Sequence, residues 1–147
     1  EWESGQFLKL SHGEDVASVR SVLGIEDEIL GESSLYYHCV PWMGYEGELA
    51  CLFDDDGSLI ILRWTPYLSD SSAERKPSDL TQLKDTIVEN CSQKFGSPEI
   101  KEGTTDDFCD FMYYWYLPYS SKGYNLFLYE TDQELSGVEF SVYFFDN

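Results

Sequence analysis

Tyr36-Tyr37-His38-Cys39-Val40-Pro41-Trp42, continuing to Leu49-Ala50-Cys51-Leu52, has a counterpart later in the chain. The counterpart is Tyr113-Tyr114-Trp115-Tyr116-Leu117-Pro118-Tyr119, continuing to Leu126-Phe127-Leu128-Tyr129. The two align without a gap at an offset of 77 positions, which sets Tyr36 on Tyr113, Pro41 on Pro118 and Leu49 on Leu126. Aromatic and β-branched residues fit a pleated, half-buried surface, so each copy predicts an apolar strand and a returning strand. Self-similarity at a fixed period predicts a duplicated unit.

Working outward from each copy, a helix precedes and a third strand follows. Ser11-His12-Gly13-Glu14 reads as a capping box. Val16, Val19, Val22 and Leu23 follow at helical spacing, and Gly24 stops the helix. Ile25 to Ser34 reads as an acidic connector. Asp54-Asp55-Asp56-Gly57 predicts a hairpin turn into the strand Ser58 to Trp64. In the second half Ser78 or Asp79 is a candidate cap, and Leu80, Leu83, Ile87, Cys91 and Phe95 form an apolar stripe ended by Gly96. Glu99 to Asp107 is a second acidic connector. Val138, Phe140, Val142 and Phe144 alternate along a last strand. Phe7 to Leu10 suggests a short edge strand.

The expected fold is therefore α+β: a tandem α-β-β-β repeat forming an antiparallel sheet with two helices packed on one face. The expected organisation is one domain over 1–147, made of repeats at about 11–64 and 78–145 joined by a linker at 65–77. A chain of 147 residues buries enough surface to fold without a metal or cofactor.

The pieces Val16 to Gly24, Leu35 to Val40 and Leu49 to Leu62 give a short helix ended by Leu-Gly, an aromatic strand, and a strand-turn-strand with Asp-Gly. This resembles a group of bacterial extracytoplasmic domains, the β-lactamase inhibitor protein-like and outer-membrane assembly lipoprotein family. In that group a helical unit packs on an antiparallel sheet, and the unit can occur in tandem. The chain departs from it at Gly13-Glu14-Asp15, where the family has Gly-Met-Thr. The resemblance implies an extracytoplasmic location (secreted, periplasmic or lipid-anchored) and a binding role without catalysis. It carries over no site residue.

With 28 acidic and 9 basic residues the formal charge is −19. Such a surface repels phosphate backbones and anionic lipid, which disfavours nucleic acid as a partner. No apolar run is long enough to span a membrane. No Gly-x-Ser-x-Gly elbow is present, and only His12 and His38 could act as a histidine base. The cysteines form no Cys-x-x-Cys pair, so no metal site is expected. Asp54 to Gly57 lacks the spacing of a calcium loop, and Asp106, Asp107 and Asp110 are a second, weaker acidic run. Cys39 with Cys51, and Cys91 with Cys109, are candidate disulfides; the alternative is four buried thiols.

The aromatic surplus in the second copy decides the functional expectation. Tyr and Trp combine an apolar body with a polar handle, which suits contacts with protein or glycan. Tyr113, Trp115, Tyr119 and Trp42 are the candidate ligand-binding residues, on an aromatic sheet face. The competing expectations are a carboxylate-dependent hydrolase with a cleft between the repeats, and a purely structural assembly domain.

Overall fold

The computed structural model describes residues 5–31, 33–67, 80–103, 109–131 and 134–145. Its two α-helices are α1 (Val16–Leu23) and α2 (Leu80–Phe95). The strands of the first half are β1 (Glu28–Leu30), β2 (Ser34–Trp42), β3 (Tyr45–Phe53) and β4 (Leu59–Pro66). Those of the second are β5 (Glu99–Glu102), β6 (Phe111–Leu117), β7 (Lys122–Thr131) and β8 (Glu134–Phe144). All eight lie in one antiparallel sheet, ordered β1-β2-β3-β4-β8-β7-β6-β5.

This corrects the expected α-β-β-β repeat. The protein is sheet-rich, with four strands after each helix and a single continuous sheet. The acidic connectors supply the missing strands: β1 pairs Glu28–Leu30 with Tyr36–Ser34, and β5 pairs Glu99–Glu102 with Tyr114–Phe111. Both are short, and every residue in them is exposed. An edge strand of this kind is charged to discourage further pairing, so no buried alternation marks it in sequence. The two halves join where β4 pairs β8, from Ile61↔Tyr143 to Trp64↔Phe140.

The gapless register is also corrected. Leu35 and Tyr37 of β2 face the helices, and so do Tyr113 and Trp115 of β6. An odd offset sets Tyr37 on Tyr114, which faces the other way. The cause is local. The β2–β3 hairpin closes on the two-residue turn Met43-Gly44, with both φ angles positive at 54° and 85°. The β6–β7 hairpin instead closes through a 3-10 turn at Pro118–Ser120. A bulge between Tyr37 and Val40 adds a further shift.

Helix α1 is capped by Asp15, whose carboxylate accepts from the Ser18 amide at 2.8 Å. Ser11 and Glu14 do bond to each other, but in the turn before the helix. Phe7 to Leu10 is not a strand; Gln6–Lys9 is a 3-10 turn that buries Phe7. The expected cap of α2 at Ser78 or Asp79, and most of the linker, lie outside the described residues; 65 and 66 end β4.

One core lies between the sheet and the helices. Leu83, Ile87 and Cys91 of α2 and Val19 of α1 meet Leu35, Leu49, Leu62, Trp64, Leu126 and Phe140. Trp42 stands at its centre, edge-on to Phe7 at 5.5 Å and to Trp64 at 5.2 Å, and 4.7 Å from Phe140. Each such side chain contributes about 1.5–3 kcal/mol when fully buried. Each helix end is tied to the sheet by one aromatic donor. Tyr37 donates to the Gly24 carbonyl at 2.9 Å, and Trp115 Nε1 to the Gly96 carbonyl at 2.9 Å.

Candidate functional site: the open face of the sheet

Successive strand residues point to opposite faces, and both helices sit on one face only. Among the described residues no helix covers the other. That open face carries Tyr36 and His38 from β2, Glu46 and Glu48 from β3, and Arg63 from β4. From the second half it carries Glu139, Ser141 and Tyr143 of β8, Phe127 and Tyr129 of β7, and Tyr114 and Tyr116 of β6.

The aromatic end is built on a glycine. Gly123 pairs with Tyr116 on one side and with Tyr143 on the other. A Cβ at Gly123 would stand 2.0 Å from Tyr143 Cζ, so the Tyr143 ring lies flat over the bare backbone. Phe145 stacks on Tyr116 at 5.1 Å and meets Tyr143 at 5.9 Å. Tyr114 continues the patch, its hydroxyl donating to the Glu99 carboxylate. That bond raises the Tyr114 pKa, and burial raises those of Tyr143 and Tyr129, the latter to about 12. The phenols are therefore neutral donors at physiological pH.

The middle of the face is polar. Arg63 and Ser141 are cross-strand partners on β4 and β8. Ser141 is 3% exposed. Its Oγ and Arg63 Nε are buried without a hydrogen-bond partner. Glu139 Oε2 lies 3.4 Å from Arg63 Nε. Burial pushes the Glu139 carboxyl up, and Arg63 partly offsets this. At the opposite end His38 stands between Glu48, at 3.1 Å from Nδ1, and Glu28, at 3.5 Å from Nε2.

The four candidate binding residues separate. Trp42 is 0% and Trp115 3% exposed, both in the core with nothing to offer a ligand. Tyr113 is also on the helix face, where it lines a cavity of about 590 Å³ beside Phe111, Thr81 and Lys84. Tyr119 is 99% exposed at the 3-10 turn that ends β6. Parity explains the separation: the open face takes the even-numbered neighbours Tyr114 and Tyr116, and Tyr116 is 58% exposed. Tyr143, Phe145 and Gly123 come from segments that sequence reasoning treated as scaffold. The β-alternation around Phe140 was the available signal, since its odd positions had to face outward.

The disulfide expectation is corrected. Cys51 faces Leu35 across the β2–β3 ladder, and Cys39 lies four residues further along β2, at the bulge. That separation is roughly 13 Å of strand, too far for a bridge. Cys91 is a thiol too, buried on α2 and not joined to Cys109. Burial pushes Cys51 and Cys91 to about 12.

Asp54 turns its carboxylate onto its own loop, accepting from Asp56 N at 3.0 Å and Ser58 N at 2.9 Å. Asp110 accepts from Glu130 N at 2.6 Å, while Asp106 and Asp107 lie outside the described residues. Among the described residues no cleft divides the halves, because β4 and β8 are hydrogen-bonded neighbours there. Among the described residues Glu139 is the one carboxyl pushed up, and its neighbour is a guanidinium, not a second acid. No described helix is long and apolar enough to cross a membrane.

Comparison with family models, curated proteins and solved structures finds no match to this chain, and so no enzyme family or homologue. The resemblance to extracytoplasmic binding domains rests on the residues quoted for it.

Proposed function

We propose that this protein is a non-catalytic module that binds another protein through the open face of its sheet. One observation carries the reading: the partly exposed rings of Tyr114, Tyr116, Tyr143 and Phe145 gather at one end of a face that also carries Arg63, with no described helix over it. Tyrosine and arginine dominate the binding energy of protein interfaces. The dimensions support it as well. Eight strands about 4.8 Å apart, each about seven residues of ~3.3 Å, give a face of roughly 34 by 23 Å. That is close to the ~800 Å² each partner contributes to a standard interface. A glycan needs a smaller, more concave site. The reading requires no oxidising compartment; the extracytoplasmic setting is part of the proposal through the resemblance alone.

The test is site-specific photocrosslinking. A benzoylphenylalanine at position 116 is compared with one at Glu89, which is exposed on α2. Protein adducts formed in native extract from position 116 and absent from position 89 support the reading. Identical adduct patterns at the two positions, or a glycan array bound where no protein is captured, would overturn it.

A further inference from the structure

We infer that the partner is a basic protein, docking its cations over Glu28, Glu46 and Glu48 and an apolar anchor over Tyr116 and Tyr143. This rests on the open-face reading above and adds the chemistry of what fills it. Alternation places five carboxylates on the face, those of Glu28, Glu46, Glu48, Glu99 and Glu139. Apart from His38, the described basic side chains there are Arg63 and Lys101. The imbalance follows the whole chain, whose formal charge is −19.

The charges are also sorted in space. Glu28 and Glu48 flank His38 at the β1–β3 end, and Glu46 lies on the same face two residues along β3 from Glu48. The rings gather at the β6–β8 end. Between them Ser141 Oγ is buried without a hydrogen-bond partner, while Arg63 Nε faces Glu139 at 3.4 Å. A buried polar group left unpaired is costly, and a docked acceptor satisfies it. An acidic partner would meet like charge over half the face, which selects against it. A basic surface with one aromatic or aliphatic protrusion matches the carboxylate zone and the ring zone.

The probe is a random twelve-residue peptide library displayed on phage, panned on the folded protein in 50 mM NaCl. The expected result is enrichment of sequences with Lys or Arg next to an aromatic or branched aliphatic residue. A synthetic copy of the most enriched peptide should bind at least tenfold more weakly to the E28Q/E48Q protein. It should weaken similarly in 300 mM NaCl, where the screening length falls to about 6 Å from about 14 Å at 50 mM. Y116S and Y143S should each weaken it at least tenfold, with far-UV circular dichroism unchanged. Neutral or acidic peptides that lose binding in Y116S and Y143S sink the basic-partner inference and leave the open face standing. Basic peptides indifferent to both tyrosines sink the open-face reading, and the inference with it. Failure to enrich any sequence counts against both.

Discussion

Phe140→Ala should unfold both halves of the protein together. Phe140 is fully buried on β8, pairs with Trp64 across the β4–β8 seam, and touches the rings of Trp42 and Tyr124. Truncating a buried phenylalanine costs about 3–5 kcal/mol through lost transfer energy and the cavity left behind. The aromatic neighbours place this site in the upper part of that range, since each ring pair is worth about 0.5–1.5 kcal/mol beyond its burial. With a urea slope of about 2 kcal/mol per molar, a loss of ~4 kcal/mol lowers the midpoint by ~2 M. The assay is equilibrium urea unfolding followed by tryptophan fluorescence and by far-UV circular dichroism. Trp42 and Trp64 report on the first half and Trp115 on the second. Single-tryptophan variants should give coincident transitions, displaced equally by Phe140→Ala. A loss below ~1.5 kcal/mol would refute the packing argument. A transition that shifts for Trp115 and not for Trp64 would refute the continuous sheet.

Other expectations follow from single contacts. Native protein treated with a thiol reagent should label Cys39 fast, while Cys51 and Cys91, held near 12 by burial, react only after unfolding. Trp115→Phe should cost about 1 kcal/mol, the net worth of the bond from its Nε1 to Gly96, measured by urea midpoint. Gly123→Ala should cost about 1–3 kcal/mol by forcing Tyr143 off the backbone, and the penalty should shrink in the Gly123→Ala/Tyr143→Ala double variant. Asp15 is held below its usual range by the Ser18 amide, and Glu26 by Arg20. The stability these two add is full above the ordinary carboxylate range and is lost as pH falls through their lowered values. Glu139 is shifted upward and acts oppositely, so its unfavourable burial sets in as pH rises past the ordinary range. Urea midpoints of Asp15→Ala and Glu139→Gln at pH 7 and pH 3 check both signs.

The elements with a buried face were legible in sequence. Leu83, Ile87 and Cys91 marked α2, and Val138, Phe140 and Val142 marked β8, because burial imposes a period that residue types record. Glu28–Leu30 and Glu99–Glu102 were not legible, since an edge strand with both faces wet leaves no such period. The site was misplaced for a related reason. Counting aromatics finds a ring-rich strand, but which rings bind depends on parity. Parity was set by a bulge after Tyr37 and by a hairpin turn that differs between the halves. Trp42 and Trp115 suit a ligand by residue type and are withheld from one by position.

The seam between β4 and β8 runs through the middle of the open face, so the two halves lie head to tail across it. Two identical halves would present a surface that looks the same after half a turn, and a guest could settle on it in either of two poses. Here one half brings carboxylates around His38 and the other brings rings around Gly123. That difference gives the face a direction. Any visitor that fitted one way round would meet charge on grease when reversed, so the difference between the halves would be enough to fix its heading.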